Sequence, residues 1–220
     1  MKLSFILGQA RSGELKPLSP KDKTDEVVVG YINLALIALY TRFQLRTEEA
    51  IVSLHAMPAK TIYTLGPSDS DVKVDGRPMP ADDCMTILEV YGENGELIPV
   101  NDDRNPLSIY TISYNKIQVP LLDDNTYLSV IYKKNPTLVT YTDDGNGNAA
   151  ETDVDLPVAL LEPMLHYIGY RAHGSVNGDI RAETNSHYMR YEASCNKVLE
   201  MGGLTADDMT MATVQQKGYV

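Results

Sequence analysis

The chain has 220 residues, 43% hydrophobic and 22% charged, enough to bury a substantial core. Its net charge of −11 sits in residues 66–155, where 17 acids face 6 bases, while the remainder balances at 13 and 13. An acidic middle without clustered Lys and Arg argues against gripping a nucleic-acid backbone or an anionic membrane surface.

The N-terminal run MKLSFILGQARSG places Leu3, Ile6, Leu7 and Ala10 at helical spacing, so a short helix is expected over 3–12. Its apolar stretch is too short for an export signal, and no small-residue cleavage site follows. The next segment, VVVGYINLALIALYTRF, spans 27–43 and is apolar on nearly all sides. A helix from about Thr24 to Phe43 is predicted, capped near Thr24, with Asp25 and Glu26 in its first turn and Asn33 its one strongly polar interior residue. At 17 residues, with Arg42 inside its end, the run is shorter than a membrane span and suits the centre of a bundle.

After Arg46 the period changes. Ala50–Leu54, Thr61–Leu65, MTILEVYG, ELIPV, LSIYTIS, KIQVP and TYLSVIYK are short and β-rich, separated by Gly, Pro, Asn and Asp. Six or seven strands are expected, with SDSDVKVDGRPMPADD (68–83) as a polar loop among them. Fourteen Tyr, with no Trp, suit such a half-buried sheet. Helix returns after Asp155: Leu160, Leu161, Met164, Leu165, Ile168 and Ala172 form a stripe that Gly174 should close, and Pro163 is tolerable only near its start. A last helix, about Asp179 to Met201, carries a seam of Ile180, Thr184, His187, Tyr191, Ser194 and Val198.

Because the apolar helix has no other partner long enough, the late helices should return to cover it. The expected fold is α+β: an α-helical bundle of three main helices with an inserted antiparallel β-domain and an extended C-terminal tail. The boundaries are 1–46 plus 156–201 for the bundle, 47–142 for the β-domain, 143–155 for an acidic connector and 202–220 for the tail. The tail shows no helical stripe and little capacity to form a core.

No motif for chemistry stands out. LEVYGENGELIPVNDD (88–103) has no frame with calcium-loop acceptors, and Asn94-Gly95 between strand-like flanks reads as a hairpin turn. In DDGNGNAAETDVD (143–155), Asp144, Asn146, Asn148 and Asp155 do fall at loop positions 1, 3, 5 and 12, but Ala149 stands where Gly is needed. The G-x-G-x-x-A at 145–150 is acidic and opens no helix, so it does not read as a dinucleotide site. His166 and His173 stand about 10 Å apart along one helix, too far for one metal ion. Cys84 and Cys195, with no CxxC, read as free thiols of a reducing compartment. No catalytic residue, metal ligand or cofactor is expected.

Three stretches nevertheless resemble the head-to-tail connector (adaptor) proteins of tailed bacteriophages. They are LEVYGENGELIPVNDDRNPLSIYTISYNKIQVP, YLSVIYKKNP, and DVDLPVALLEPMLHYIGYRA, to which the front end FILGQARSGEL is also similar. The resemblance spans about residues 3–201. It implies a structural virion protein, not an enzyme, at the head-tail junction and assembled in the host cytoplasm. It further implies a ring of twelve subunits beneath the portal protein, holding the next tail component, a nozzle or tail-completion protein. Genomic DNA would pass through without specific binding, and no cofactor is implied. The tail, 202–220, would dock on the portal, with Met211, Val214, Tyr219 and Val220 as anchors. The competing expectation is another virion or surface binding module, with a β-rich recognition domain and a calcium loop at 144–155.

Overall fold

The computed structural model describes residues 1–54, 61–120, 126–145, 149–176, 183–202 and 204. The chain divides into two compact units, one of residues 1–45 and 136–220, the other of 46–135.

In the first unit, α1 (Leu3–Ser12) buries Leu3, Ile6, Leu7 and Ala10, the stripe its sequence spacing demands. The Gly13 N–H closes its end on the Gln9 carbonyl at 3.0 Å. After a 3₁₀ turn at Pro20–Lys23 comes α2 (Asp25–Arg42), flanked by Thr24 and Phe43 in extended conformation. Thr24 occupies the N-cap position but makes no side-chain capping bond. Asp25 is buried there instead, accepting from the Ala149 N–H at 2.7 Å and pairing with Arg11.

α3 (Leu161–Val176) follows a 3₁₀ turn at Val158–Leu160, and α4 is Glu183–Glu200. Pro163 falls in the first turn of α3, where a backbone N–H has no intrahelical acceptor to lose. Gly174 does not end the helix, which continues to Val176. α3 is the central element, packing against α1, α2 and α4, with Leu160, Met164, Ile168 and Ala172 fully buried along this part of the chain. Of the seam expected on α4, Tyr191, Ser194 and Val198 are buried, joined by Cys195, and Ile180 lies outside the described residues.

The chain between the sheet and α3 is held to the N-terminal helices by backbone-like bonds. Leu3 N–H donates to Thr152 O at 2.9 Å and Val154 N–H to Met1 O at 2.6 Å. Asn33 accounts for its place in an apolar helix. Its amide donates to the Val139 carbonyl and its Oδ1 accepts from the Val139 N–H, both at 2.8 Å. The side chain thus pairs with Val139 as a neighbouring strand would.

The second unit is all antiparallel sheet. Its strands are β1 (Thr47–Ser53), β2 (Ile62–Thr64), β3 (Val72–Val74), β4 (Arg77–Pro78), β5 (Cys84–Tyr91), β6 (Leu97–Ile98), β7 (Tyr110–Ser113), β8 (Lys116–Gln118) and β9 (Tyr127–Lys134). Six of them form one sheet, ordered β4-β3-β1-β9-β5-β6, and β2-β8-β7 form a second. β9 lies between β1 and β5 and alternates Leu128, Val130 and Tyr132 into a core shared with Ala50, Val52, Tyr63 and Ile117. The Asn94-Gly95 turn joins β5 to β6 as expected, though only Gly95 takes positive φ, at 80°. The turn is closed by Gly92 N–H on Glu96 O at 2.9 Å.

The expected fold class needs correction. In place of a three-helix bundle with an inserted β-domain, there is a mixed α+β chain with four α-helices and nine strands among the described residues. Two physical causes account for this. α1 is a full core element with four buried side chains packed on α3, not a minor appendage. The stretch 68–83, expected as a loop, contains the β3–β4 hairpin, turned by Asp75 (φ 50°) and Gly76 (φ 75°), the positive-φ pair an Asp-Gly turn requires.

Asn33→Ala should remove both bonds to Val139, whose side chain is buried, and lower the stability of the first unit by about 1–3 kcal/mol. Urea denaturation followed by circular dichroism measures this directly.

Candidate functional site

The densest cluster of titratable side chains in the first unit forms where the chain leaves α1. Gly13 ends that helix, and the turn that follows buries Leu15 and Leu18 and carries Glu14, just before them, against α3 and α4. One Glu14 oxygen stands 3.0 Å from His166 Nδ1 on α3, the other 2.9 Å from His187 Nδ1 on α4. The first is a hydrogen bond; the second is an ion-pair distance without hydrogen-bond geometry. The Glu14 backbone carbonyl meets His173 Nε2 at 3.0 Å. The His173 and His187 rings stack at 4.7 Å with 9° between their planes.

Close approach is possible because position 169 has no side chain. A Cβ on Gly169 would lie 2.8 Å from His187 Nδ1 and 3.2 Å from both Cβ and Oε2 of Glu14. Beside the cluster opens a cavity of about 470 Å³ lined by Gly13, Glu14, Leu18, His173, His187 and Arg190. Burial holds the His187 imidazole below its ordinary value of 6.5. The neighbouring His173, Arg190 and His166 push the same way, and only Glu14 opposes them. Stacked rings and a carboxylate shared between two imidazoles do not present convergent lone pairs. Among the described residues no group of three or more His, Cys, Asp or Glu is arranged to hold a metal ion. What the arrangement does is bind the α1 exit to both late helices.

Between α3 and α4, Tyr167, Tyr170, Tyr188 and Tyr191 form a chain of edge and tilted ring contacts, 5.1–6.0 Å between centroids. Arg42 at the end of α2 lies over Tyr191, bonds Glu192 at 2.6 Å and donates to Asn196 at 2.9 Å. In the second unit, Asp83 is buried and accepts from Tyr132 Oη at 2.6 Å, with Lys134 bridging it to Glu48. Asp83, in the stretch expected as a polar loop, thus locks the sheet. Both cysteines are free and buried, in separate units; burial pushes the Cys84 thiol up to about 12 and Cys195 up to about 11.

The acidic stretch weighed for calcium is spent on other partners where it is described. Asp155 accepts from Tyr40 Oη at 3.0 Å, and the Ala149 N–H goes to Asp25. Asn146 and Asn148 lie outside the described residues, as do the docking candidates Met211, Val214, Tyr219 and Val220. Sequence reasoning singled out all three histidines of the cluster but missed Glu14 and Gly169. The available signal was a lone acid beside a buried-type leucine in GELKPL.

The family model described as SU10 adaptor protein matches residues 7–217. No curated protein matches the chain.

Two measurements test the cluster. Gly169→Ala should destabilise by about 1–3 kcal/mol through overpacking. Gly8→Ala, whose Cβ meets nothing within 4 Å, should instead be neutral or stabilising. His187 has its folded pKa lowered, so below the ordinary histidine value the unfolded chain binds more protons than the folded one. Stability is therefore complete above about pH 6.5 and falls as pH drops below it. Thermal melts between pH 8 and pH 5 should show that fall, and His187→Gln should flatten it.

Proposed function

The chain belongs to the SU10 adaptor protein family, a bacteriophage adaptor family, and we propose that it works as the head-to-tail connector of the virion. Membership makes it a structural component that meets other capsid or tail proteins. Beyond that, our reading is a ring of twelve copies seated beneath the portal, extending the DNA channel and holding the next tail component. The match over residues 7–217 is the observation that supports it.

The physical character of the chain agrees with that role. In the first unit long-range side-chain bonds, Arg42 to Glu192 and Glu14 to His166, tie the early part of the chain to the late helices. An acidic chain of net charge −11 repels DNA and lets it slide past. No helix among the described residues is long and apolar enough to cross a membrane.

In this reading residues 202–220 are the strap that docks on the portal, with Met211, Val214, Tyr219 and Val220 as its anchors. Purified portal rings mixed with the full chain should yield, by electron microscopy, a second ring stacked on the first. Deletion of 205–220 should abolish that attachment and leave the melting temperature unchanged. A truncated chain that still joins portals would remove the strap from the proposal.

A further inference from the structure

We infer that Asn101 guards a sheet edge: its side chain stands against β7 in place of a strand and keeps copies of this chain from pairing edge to edge there. The inference concerns the sheet unit alone and does not rest on the connector reading.

The stretch that needs guarding is plain in the sequence. Leu107 to Tyr114, LSIYTISY, holds eight residues with no charge, no Gly and no Pro, rich in aromatic and β-branched side chains. Such a segment on a sheet edge is a ready template for another strand. β7 lies at the edge of the three-stranded sheet, and Tyr110, Ile112 and Tyr114 are exposed along this stretch. The other sheet edges are β2, β4 and β6, strands of three residues or two. β4 ends in Pro78, which has no N–H to offer, and the Thr64 N–H of β2 goes to Asp69 Oδ2 at 2.9 Å.

The outer side of β7 is closed by residues 99–101. Ile109 N–H donates to the Pro99 carbonyl and Asn101 N–H to the Ile109 carbonyl, both at 2.9 Å, which are the bonds of a parallel pair between Val100 and Ile109. The next bond of that ladder would run from Thr111 N–H to the Asn101 carbonyl. Asn101 takes φ 55° instead, a conformation asparagine tolerates better than most residues, and the chain turns away. Its side chain stays behind. Oδ1 accepts from Thr111 N–H at 2.9 Å, and Nδ2 donates to Thr111 Oγ1 at 2.7 Å. An amide side chain offers the acceptor and the donor of a peptide group, so the edge finds its partner without a strand.

Freed of that side chain, the edge suits a second copy of the chain. Two identical β7 strands meet antiparallel about a two-fold axis, each presenting the same groups to the other. No charge within LSIYTISY opposes the match. Asp102 and Asp103, beside Tyr110, set like charges near it and add to the guard.

The test is analytical ultracentrifugation of the full chain over a range of concentrations, at high salt, where those acids are screened. Asn101→Gly keeps the turn and removes the side chain, and Asn101→Ala serves where glycine loosens the fold. The variant should associate at a concentration at least about tenfold lower than the wild type, the effect of about 1.4 kcal/mol. Hydrogen exchange should find the Thr111 amide fast in the dilute variant and protected again as pairs form. Asn101→Asp keeps an acceptor for both the Thr111 N–H and its hydroxyl, and should sediment like the wild type. Adding Thr111→Pro to Asn101→Gly deletes the N–H at issue and should restore wild-type behaviour; Ile112→Lys serves where proline disturbs the strand. Association of the glycine variant no stronger than that of the wild type overturns the inference. So does association that survives the second substitution, because it then runs through another surface.

Discussion

A single half-buried carboxylate, that of Glu14, sits where α1 ends, and its position makes sense only if α3 and α4 are already in place. One of its oxygens takes a hydrogen bond from His166 of one helix, and the other lies 2.9 Å from His187 of the second. Gly169 supplies the room, since any side chain there would collide with both His187 and Glu14. Other long-range ties of the first unit, among them Arg42 to Glu192 and Asn33 to Val139, hold α2 to α4 and to the chain that precedes α3. Helix packing here is specified by polar groups at the corners and apolar side chains between them.

Much of this was legible in the residues. The 3.6-residue period located α1 and α3, an apolar run behind Asp25 and Glu26 located α2, and the Asn94-Gly95 turn announced its hairpin because glycine readily takes the positive φ it needs. Asp75-Gly76 carried the same signal and was lost in a polar run, since only the three residues Val72–Val74 precede it and too few alternations remain to reveal a strand. Glu14 was invisible for a different reason. Its role comes from contacts more than 150 positions away, and no local period encodes them. Asn33 stood out as an anomaly in an apolar run, but its partner Val139, 106 positions on, could not be read from spacing. The fold class failed on the same ground: whether α1 is core or ornament depends on what packs against it.

The two units achieve their order differently. The sheet unit relies on alternation, with Leu128, Val130 and Tyr132 of β9 entering a core that β1 and β5 share from either side. One of its buried polar groups, Asp83, is held by Tyr132 and Lys134. The helical unit relies on one central helix touched by the other three. For a bacteriophage adaptor such division is apt, because a component that must join unlike neighbours needs rigid blocks whose surfaces are free to differ.

The condition of the two cysteines bears on how long such a particle lasts. A virion component leaves the reducing cell that made it and waits in air-saturated water. Thiols react with oxidants as thiolates, and burial holds Cys84 and Cys195 protonated and out of reach at neutral pH. A protein assembled this way carries sulfur through storage without sulfenic acids, cross-links or the slow loss of fit they bring.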